Sequence, residues 1–132
     1  MTRNICYILS LSFLIAGTLI YVFFRNSVYF LLPFHDLAEK TAIIKIQCGI
    51  LGNFIIYNFS DACWCLSLMF YATTSNIKWI RILAFFIPTC MELLQLTNLV
   101  PGTFDPIDLI IYIIISISFF YLWKRKNFFQ QC

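Results

Sequence analysis

Apolar residues fill most of this chain, and polar groups interrupt them at only a few places. The first long apolar segment, 5–24, contains no charged residue. A helix of that length, at about 1.5 Å per residue, spans a bilayer core of roughly 30 Å. Aromatic residues and Arg25 follow at its end, as is typical of a membrane interface. We therefore predict a first transmembrane helix over 5–24, retained in the mature protein rather than removed as a signal peptide.

The next segment, 27–60, is apolar only in patches. Asp36 and Glu39 have the spacing of a capping box, and the apolar residues after them follow a helical period. This pattern predicts an amphipathic helix over 36–51 that lies in the membrane interface and ends at Gly49 and Gly52. The alternative, a transmembrane helix over 42–59, leaves almost no chain for a turn before the apolar segment that starts at Ala62. We favour the interfacial helix.

Three further transmembrane helices are predicted in the second half of the chain. The first covers 61–76, with Ser60 or Asp61 as its N-cap. The second covers 79–98 and is expected to kink at Pro88, which has no N–H to donate. The third covers 106–123, because Asp105-Pro106 is a preferred N-cap and first-turn pair. The predicted fold class is an all-α membrane protein, a single domain over 1–132 with four transmembrane helices and one interfacial helix.

The composition supports a helical membrane protein. The chain is 61% hydrophobic and 11% charged, with a mean hydropathy of +0.86, which is more apolar than a soluble domain of this size requires. Its net charge of +3 is too small to indicate a nucleic-acid partner. Six cysteines and one histidine show no metal-ligand spacing, so no metal, cofactor or catalytic residue is predicted.

The basic residues predict an orientation. Placing both termini in the cytoplasm puts most of the nine lysines and arginines on the inner side. The residues placed there are Arg3, Lys78, Arg81, Lys124, Arg125 and Lys126. The expected location is the bacterial cytoplasmic (inner) membrane, with several membrane crossings.

This topology collects acids and an amide on the outer side, and we regard them as the candidate site. They are Asp61, Glu92, Gln95, Asp105 and Asp108. Glu92 would lie roughly 20 Å into the core, beyond its midplane, so it must be protonated, paired or hydrated. Asp61 and Asp105 are also well placed as N-caps, Asp108 would interact favourably with a helix dipole, and Gln95 could simply bond across helices. The hypothesis is that Glu92, Gln95, Asp108 and Asp61 line a polar pocket open to the outside.

Glu92-x-x-Gln95 is followed by a short Pro-Gly turn and then by Asp108 at the start of a last apolar helix. This pattern resembles the VanZ-like family of small membrane proteins. That family has E-x-x-Q, an arginine in the turn and D-x-x-x-N in the final helix. Here Gly102 or Thr103 stands at the arginine position and Tyr112 at the asparagine position. The resemblance implies a role at the bacterial cell envelope. The family takes its name from a protein associated with resistance to the glycopeptide teicoplanin.

Three classes of function are consistent with these residues. The first is a protein that binds a lipid-linked, glycopeptide or other envelope ligand in the outward-facing pocket. The second is a noncatalytic accessory subunit that packs against other membrane subunits or against further copies of itself in the bilayer. The third is a carboxylate-based enzyme or proton-coupled carrier, which is disfavoured because no nucleophile–base pair, phosphate loop or metal set is present.

Overall fold

The structure, a computed structural model, describes residues 3–24, 50–97, 99–100 and 104–124. Four helices account for nearly all of them, and no strand occurs within these ranges. The helices are α1 (Arg3–Phe24), α2 (Ile50–Thr73), α3 (Lys78–Leu96) and α4 (Pro106–Lys124). The prediction of an all-helical chain is confirmed for this part of the molecule.

Three of the helices are long and apolar enough to cross a membrane. They are α1 over Arg3–Tyr21, α3 over Lys78–Leu96 and α4 over Pro106–Lys124. Their buried fractions inside the bundle are low, at 11%, 17% and 22% of each span. Most of their surface therefore faces outward as Ile, Leu and Phe side chains, as expected for helices whose solvent is lipid. The chain is a multi-pass membrane protein.

Helix α2 differs from its prediction. It has 24 residues and runs through Ser60 and Asp61 without a break, so the prediction that either residue is an N-cap is wrong. The predicted interfacial helix over 36–51 falls largely outside the described residues, and its last two positions belong to α2. Gly52, expected to follow a helix end, lies within α2 as well. The helix also ends earlier than predicted, at Thr73.

Packing against α1 explains why α2 continues through polar residues. The Ser60 hydroxyl donates a hydrogen bond of 3.0 Å to the Gly17 carbonyl of α1. The Ser10 hydroxyl donates one of 3.0 Å to the Ser67 carbonyl. A Cβ on Gly17 would lie only 2.8 Å from Trp64 Nε1. Glycine at this position therefore allows α1 and α2 to approach each other closely. These polar groups are satisfied by the neighbouring helix rather than by water.

Ring contacts fix the directions of the first two helices. Tyr7 and Tyr71 lie 6.2 Å apart between ring centroids, and Tyr21 and Trp64 lie 5.5 Å apart. The earlier residue of α1 thus pairs with the later residue of α2, and the later residue of α1 with the earlier one of α2, so the two helices are antiparallel. Helix α1 packs on α2, and α2 also contacts α3 and α4, which contact each other. Helix α2 is thus the central element of the bundle.

The hydrophobic core lies between α2, α3 and α4. Its buried residues are Cys65, Met69 and Ala72 of α2, Ala84 of α3, and Tyr112 and Phe119 of α4. Pro88, where a kink was predicted, is buried inside α3, and the helix continues past it to Leu96.

Basic side chains gather at one end of the bundle. At the turn between α2 and α3, the Arg81 guanidinium donates a hydrogen bond of 2.9 Å to the Ser75 carbonyl. The same guanidinium lies 5.5 Å from the ring centroid of Trp123, near the end of α4. Arg3 is in the first turn of α1, which also starts at this end because Tyr7 meets Tyr71. The start of α1 and the end of α4 therefore lie on the same side, which we call the basic end.

Candidate functional site

The carboxylate of Glu92 is almost fully buried, at 4% exposure, and it has a specific partner. Its Oε1 accepts a hydrogen bond of 2.6 Å from the backbone N–H of Asp105, the residue just before α4. A charged acceptor strengthens such a bond relative to a neutral one. Glu92 therefore links the end of α3 to the start of α4, a role that the sequence does not reveal because the donor is a backbone group.

Asp105 is the N-cap of α4, as predicted. Its Oδ1 accepts a hydrogen bond of 2.9 Å from the backbone N–H of Ile107, and its carbonyl accepts the first helical bond, 3.4 Å, from Leu109. Pro106 occupies the first helical position, where its missing N–H costs nothing. The carboxylate of Asp105 is thus used by the fold.

Asp108 stands at the third position of α4, where a capping box would turn its side chain back to the N-cap N–H. That N–H is already bound by Glu92. The Asp108 side chain instead faces Asp61 of α2, and only 7% of Asp108 is exposed. Glu92 thereby frees Asp108 from a capping role and leaves it to face another acid.

Asp61 lies near the middle of α2, about three turns after the start of the helix at Ile50. Its side chain is half-buried, and it faces Asp108 from across the α2–α4 contact. Glu92 and Asp105 lie within electrostatic range of the same Asp108 carboxyl. Three helices therefore deliver acids to one place, on the side of the bundle away from the basic end. We call Asp61, Glu92, Asp105 and Asp108 the acidic cluster.

Gln95 is the one predicted pocket residue that the structure does not bring into contact with the others. It is three residues after Glu92 on α3 and half-buried. Within the described ranges, no hydrogen bond joins its side-chain amide to the acidic cluster. Its backbone carbonyl, by contrast, accepts the N–H of Thr97 at the helix end.

Tyr112 extends the site from the acids toward the hydrophobic core. It is one turn beyond Asp108 on α4 and is buried at 8% exposure. Its hydroxyl lies within electrostatic range of Asp61, Asp108, Glu92 and Cys65. Tyr112 is the residue at the asparagine position of the VanZ-like pattern, so a bulky phenol stands where that pattern places an amide.

Asn58 is a buried polar residue of α2 that the sequence did not single out. It lies three residues before Asp61 on α2, and 7% of it is exposed. Its Nδ2 donates a hydrogen bond of 2.7 Å to the carbonyl of Phe54, while its Oδ1 is buried and has no hydrogen-bond partner. The i, i+3 spacing from Asp61 was the available signal, and it was hidden because the helix was predicted to begin only at Asp61.

Metal chemistry receives no support in the described part of the chain. No group of three or more His, Cys, Asp or Glu residues there is arranged to hold a metal ion. The four described cysteines, Cys6, Cys63, Cys65 and Cys90, form no disulfide with one another, and all but Cys90 are buried.

Comparison with known proteins adds no identification. The chain matches no family model, no curated protein and no solved structure. Any conclusion on function therefore depends on the acidic cluster and on the physical chemistry of its surroundings.

Proposed function

We propose that this chain is an integral membrane protein of the bacterial envelope that binds an envelope ligand, lipid-linked or glycopeptide, through its acidic cluster. One observation carries the proposal: Asp108 is buried beside Asp61, and its Oδ1 has no hydrogen-bond partner in the described part of the chain. Asp105 caps α4 and Glu92 links α3 to it, but an apolar pair would join α2 to α4 more cheaply than two carboxyls. Ionisable groups inside a membrane bundle are retained mainly for function.

The proposed orientation follows from the two ends of the bundle. Lys78, Arg81 and Lys124 lie at the basic end with Arg3, and basic residues are enriched on the cytoplasmic side of membrane proteins. We therefore place the basic end in the cytoplasm and the acidic cluster toward the outer side. In this arrangement α2 is the fourth membrane crossing, since at about 1.5 Å per residue its 24 residues reach about 36 Å.

The VanZ-like assignment is part of this proposal and rests on Glu92, Gln95 and Asp108. The assignment is supported by the closeness of Glu92 and Asp108, which lie near each other at the start of α4. It does not extend to Gln95, whose amide makes no hydrogen bond to the cluster in the described part of the chain.

Orientation is testable with cysteines introduced at the two connections of the bundle. Asn76 is exposed in the α2–α3 turn, and Leu99 is exposed, at 74%, between α3 and α4. We expect Leu99→Cys to react with a membrane-impermeant maleimide in intact spheroplasts and Asn76→Cys to react only after lysis. The wild-type chain, with its own cysteines, is the control for background labelling. The reverse pattern would place the acidic cluster on the cytoplasmic side.

Ligand binding is testable by purification from native membranes in mild detergent. We expect the wild-type chain to retain an envelope molecule, identified by mass spectrometry, and Asp108→Asn to retain at least about tenfold less at equal protein level, because a hydrogen bond to a charged group is lost. The control is Ser118→Ala on the exposed face of α4, where the hydroxyl bonds only to Ile114 of its own helix. Retention unchanged in Asp108→Asn would reject the binding site. A stoichiometric larger protein that stays bound in both variants would establish the accessory-subunit function instead.

A further inference from the structure

Two neighbouring N–H donors at the basic end are buried without an acceptor. They are Arg81 Nε and Trp123 Nε1, and neither atom has a hydrogen-bond partner in the described part of the chain. The two side chains face each other, since the Arg81 guanidinium lies 5.5 Å from the centroid of the Trp123 ring. Each residue as a whole is only half-buried, so both side chains also reach the surface of the bundle. Because buried N–H groups are nearly always paired in proteins, these two point to an acceptor that comes from outside the bundle.

The start of α3 adds a second attraction for an acceptor at the same place. Its N-cap, Ile77, has an apolar side chain and makes no side-chain capping bond. The first N–H groups of a helix need partners, and a helix N-terminus attracts anions. The Arg81 guanidinium is held beside this helix start by its 2.9 Å bond to the Ser75 carbonyl. A group that bonds to Arg81 therefore also lies near the positive end of the α3 dipole.

The charge around these donors is positive. Lys78 is the first residue of α3 and Lys124 is the last residue of α4, and both are exposed. Lys124 also offsets the partial negative charge at the end of α4. The four described acids lie on the opposite side of the bundle, in the acidic cluster. The acceptor favoured at the basic end is therefore an anion.

The membrane spans fix the depth of this place in the bilayer. The span of α3 begins at Lys78 and the span of α4 ends at Lys124, so Arg81 and Trp123 lie within about one turn of the ends of their spans. Trp79, in the first turn of α3, is 72% exposed, as is typical of an aromatic residue at the membrane interface. The polar head groups of a bilayer lie at the same depth.

We propose that the start of α3 and the end of α4 form a binding site for the phosphate group of an anionic phospholipid. Phosphate oxygens accept the N–H groups of Arg81 and Trp123. Lys78 and Lys124 add positive charge around the phosphate. To admit it, the Arg81 guanidinium turns away from the Trp123 ring, so a cation–π contact is exchanged for hydrogen bonds to a charged acceptor. The site is separate from the acidic cluster and exists whether or not that cluster binds a ligand.

The test measures lipid binding to the purified chain in detergent by native mass spectrometry, with phosphatidylglycerol or phosphatidylcholine added. We expect the wild-type chain to bind one phosphatidylglycerol at least about tenfold more tightly than phosphatidylcholine, because only phosphatidylglycerol carries a net negative charge. Arg81→Lys keeps the charge but removes the Nε–H, and Trp123→Phe keeps a ring but removes the indole N–H. Each substitution is expected to weaken phosphatidylglycerol binding at least about tenfold.

Arg3→Gln is the matched control for charge. It removes one positive charge from the same end of the bundle, but the Arg3 guanidinium lies over the Tyr7 ring of α1, 5.7 Å from its centroid. Among the described helices, α1 packs only on α2, whereas the proposed site belongs to α3 and α4. Phosphatidylglycerol binding to Arg3→Gln should stay within about twofold of the wild-type value. Thermal unfolding without added lipid shows whether each variant is folded.

Inorganic phosphate distinguishes a lipid from a soluble ion as the source of the phosphate group. If inorganic phosphate raises the unfolding temperature as much as phosphatidylglycerol does, and Arg81→Lys removes the effect, the site takes a phosphate ion and the assignment to a lipid is wrong. Equal binding of phosphatidylglycerol and phosphatidylcholine would overturn the inference. So would phosphatidylglycerol binding that both Arg81→Lys and Trp123→Phe leave unchanged.

The acidic side chains outside the described residues provide a second control. They are Asp36 and Glu39. If one of them were the acceptor for Arg81 and Trp123, the wild-type chain would bind the two lipids equally, whereas the double variant Asp36→Asn with Glu39→Gln would prefer phosphatidylglycerol. That result would also contradict the proposed site, since the chain itself would then satisfy the two donors.

Discussion

We expect Asp108→Asn to make the protein more stable at pH 8 while it abolishes ligand binding. The asparagine amide can donate a hydrogen bond to Asp61, and it removes one negative charge from the acidic cluster. The gain should be about 2 kcal/mol, after subtraction of about 0.3–1 kcal/mol for the lost interaction of an acid with the first turn of α4. Residues kept for function commonly cost stability, and a gain of this kind separates a functional residue from a structural one.

Thermal unfolding of the purified chains in detergent at pH 8 measures the gain. Asp105→Asn is the matched control: asparagine is as good an N-cap as aspartate, and the Asp61–Asp108 pair is unchanged. Its stability should be close to that of the wild-type chain. If Asp108→Asn is instead less stable than the wild-type chain, the carboxyl of Asp108 supports the fold and is not a binding group.

The parts of this structure that the sequence could predict are those set by local chemistry. The three apolar spans follow from segment length and hydrophobicity alone, because a membrane helix needs both and little else. The start of α4 follows from Asp105-Pro106, whose side chain and ring fit the first turn whatever the rest of the chain does. Each of these features depends on residues close together in the chain.

Helix α2 could not be predicted because its polar residues are satisfied by another helix. Ser60 and Asp61 look like a helix start when no partner is known. In the bundle, the Ser60 hydroxyl bonds to the Gly17 carbonyl and Asp61 faces Asp108, and both residues lie inside one continuous helix. Residues 43 or more positions apart form these contacts, and a single sequence carries no direct signal for them.

Only part of the candidate site could be predicted from the sequence, again because contacts between distant parts of the chain form it. Glu92, Asp108 and Asp61 are acids in an apolar chain, and their cost in a membrane makes them conspicuous. The sequence does not show that the Asp105 N–H satisfies Glu92, because every residue except proline carries that donor. Asn58 was missed because its importance depends on the course of α2. The acids Asp61, Glu92, Asp105 and Asp108 lie together in the structure with Tyr112 beside them, and their role as a binding site stays a prediction.

Replacing Glu92 should cause the largest loss of stability. In Glu92→Ala the backbone N–H of half-buried Asp105 loses its 2.6 Å acceptor, and a cavity remains where the buried Glu92 side chain stood. The two costs together amount to about 2–4 kcal/mol. Unfolding of the purified chain in increasing denaturing detergent measures the loss. Leu94→Ala, on the same helix at the lipid-facing surface, should cost about 1 kcal/mol or less.

Glu92→Gln distinguishes the hydrogen bond from the charge. Glutamine keeps an oxygen that can accept the Asp105 N–H but removes one negative charge from the acidic cluster. If the link between α3 and α4 is the role of Glu92, glutamine should restore most of the stability that alanine loses, and ligand retention should follow stability. If glutamine is as destabilising as alanine, the negative charge itself is what the fold requires. If glutamine folds well but retains no ligand, Glu92 belongs to the binding group together with Asp61 and Asp108, because its negative charge then acts on the ligand and not on the fold.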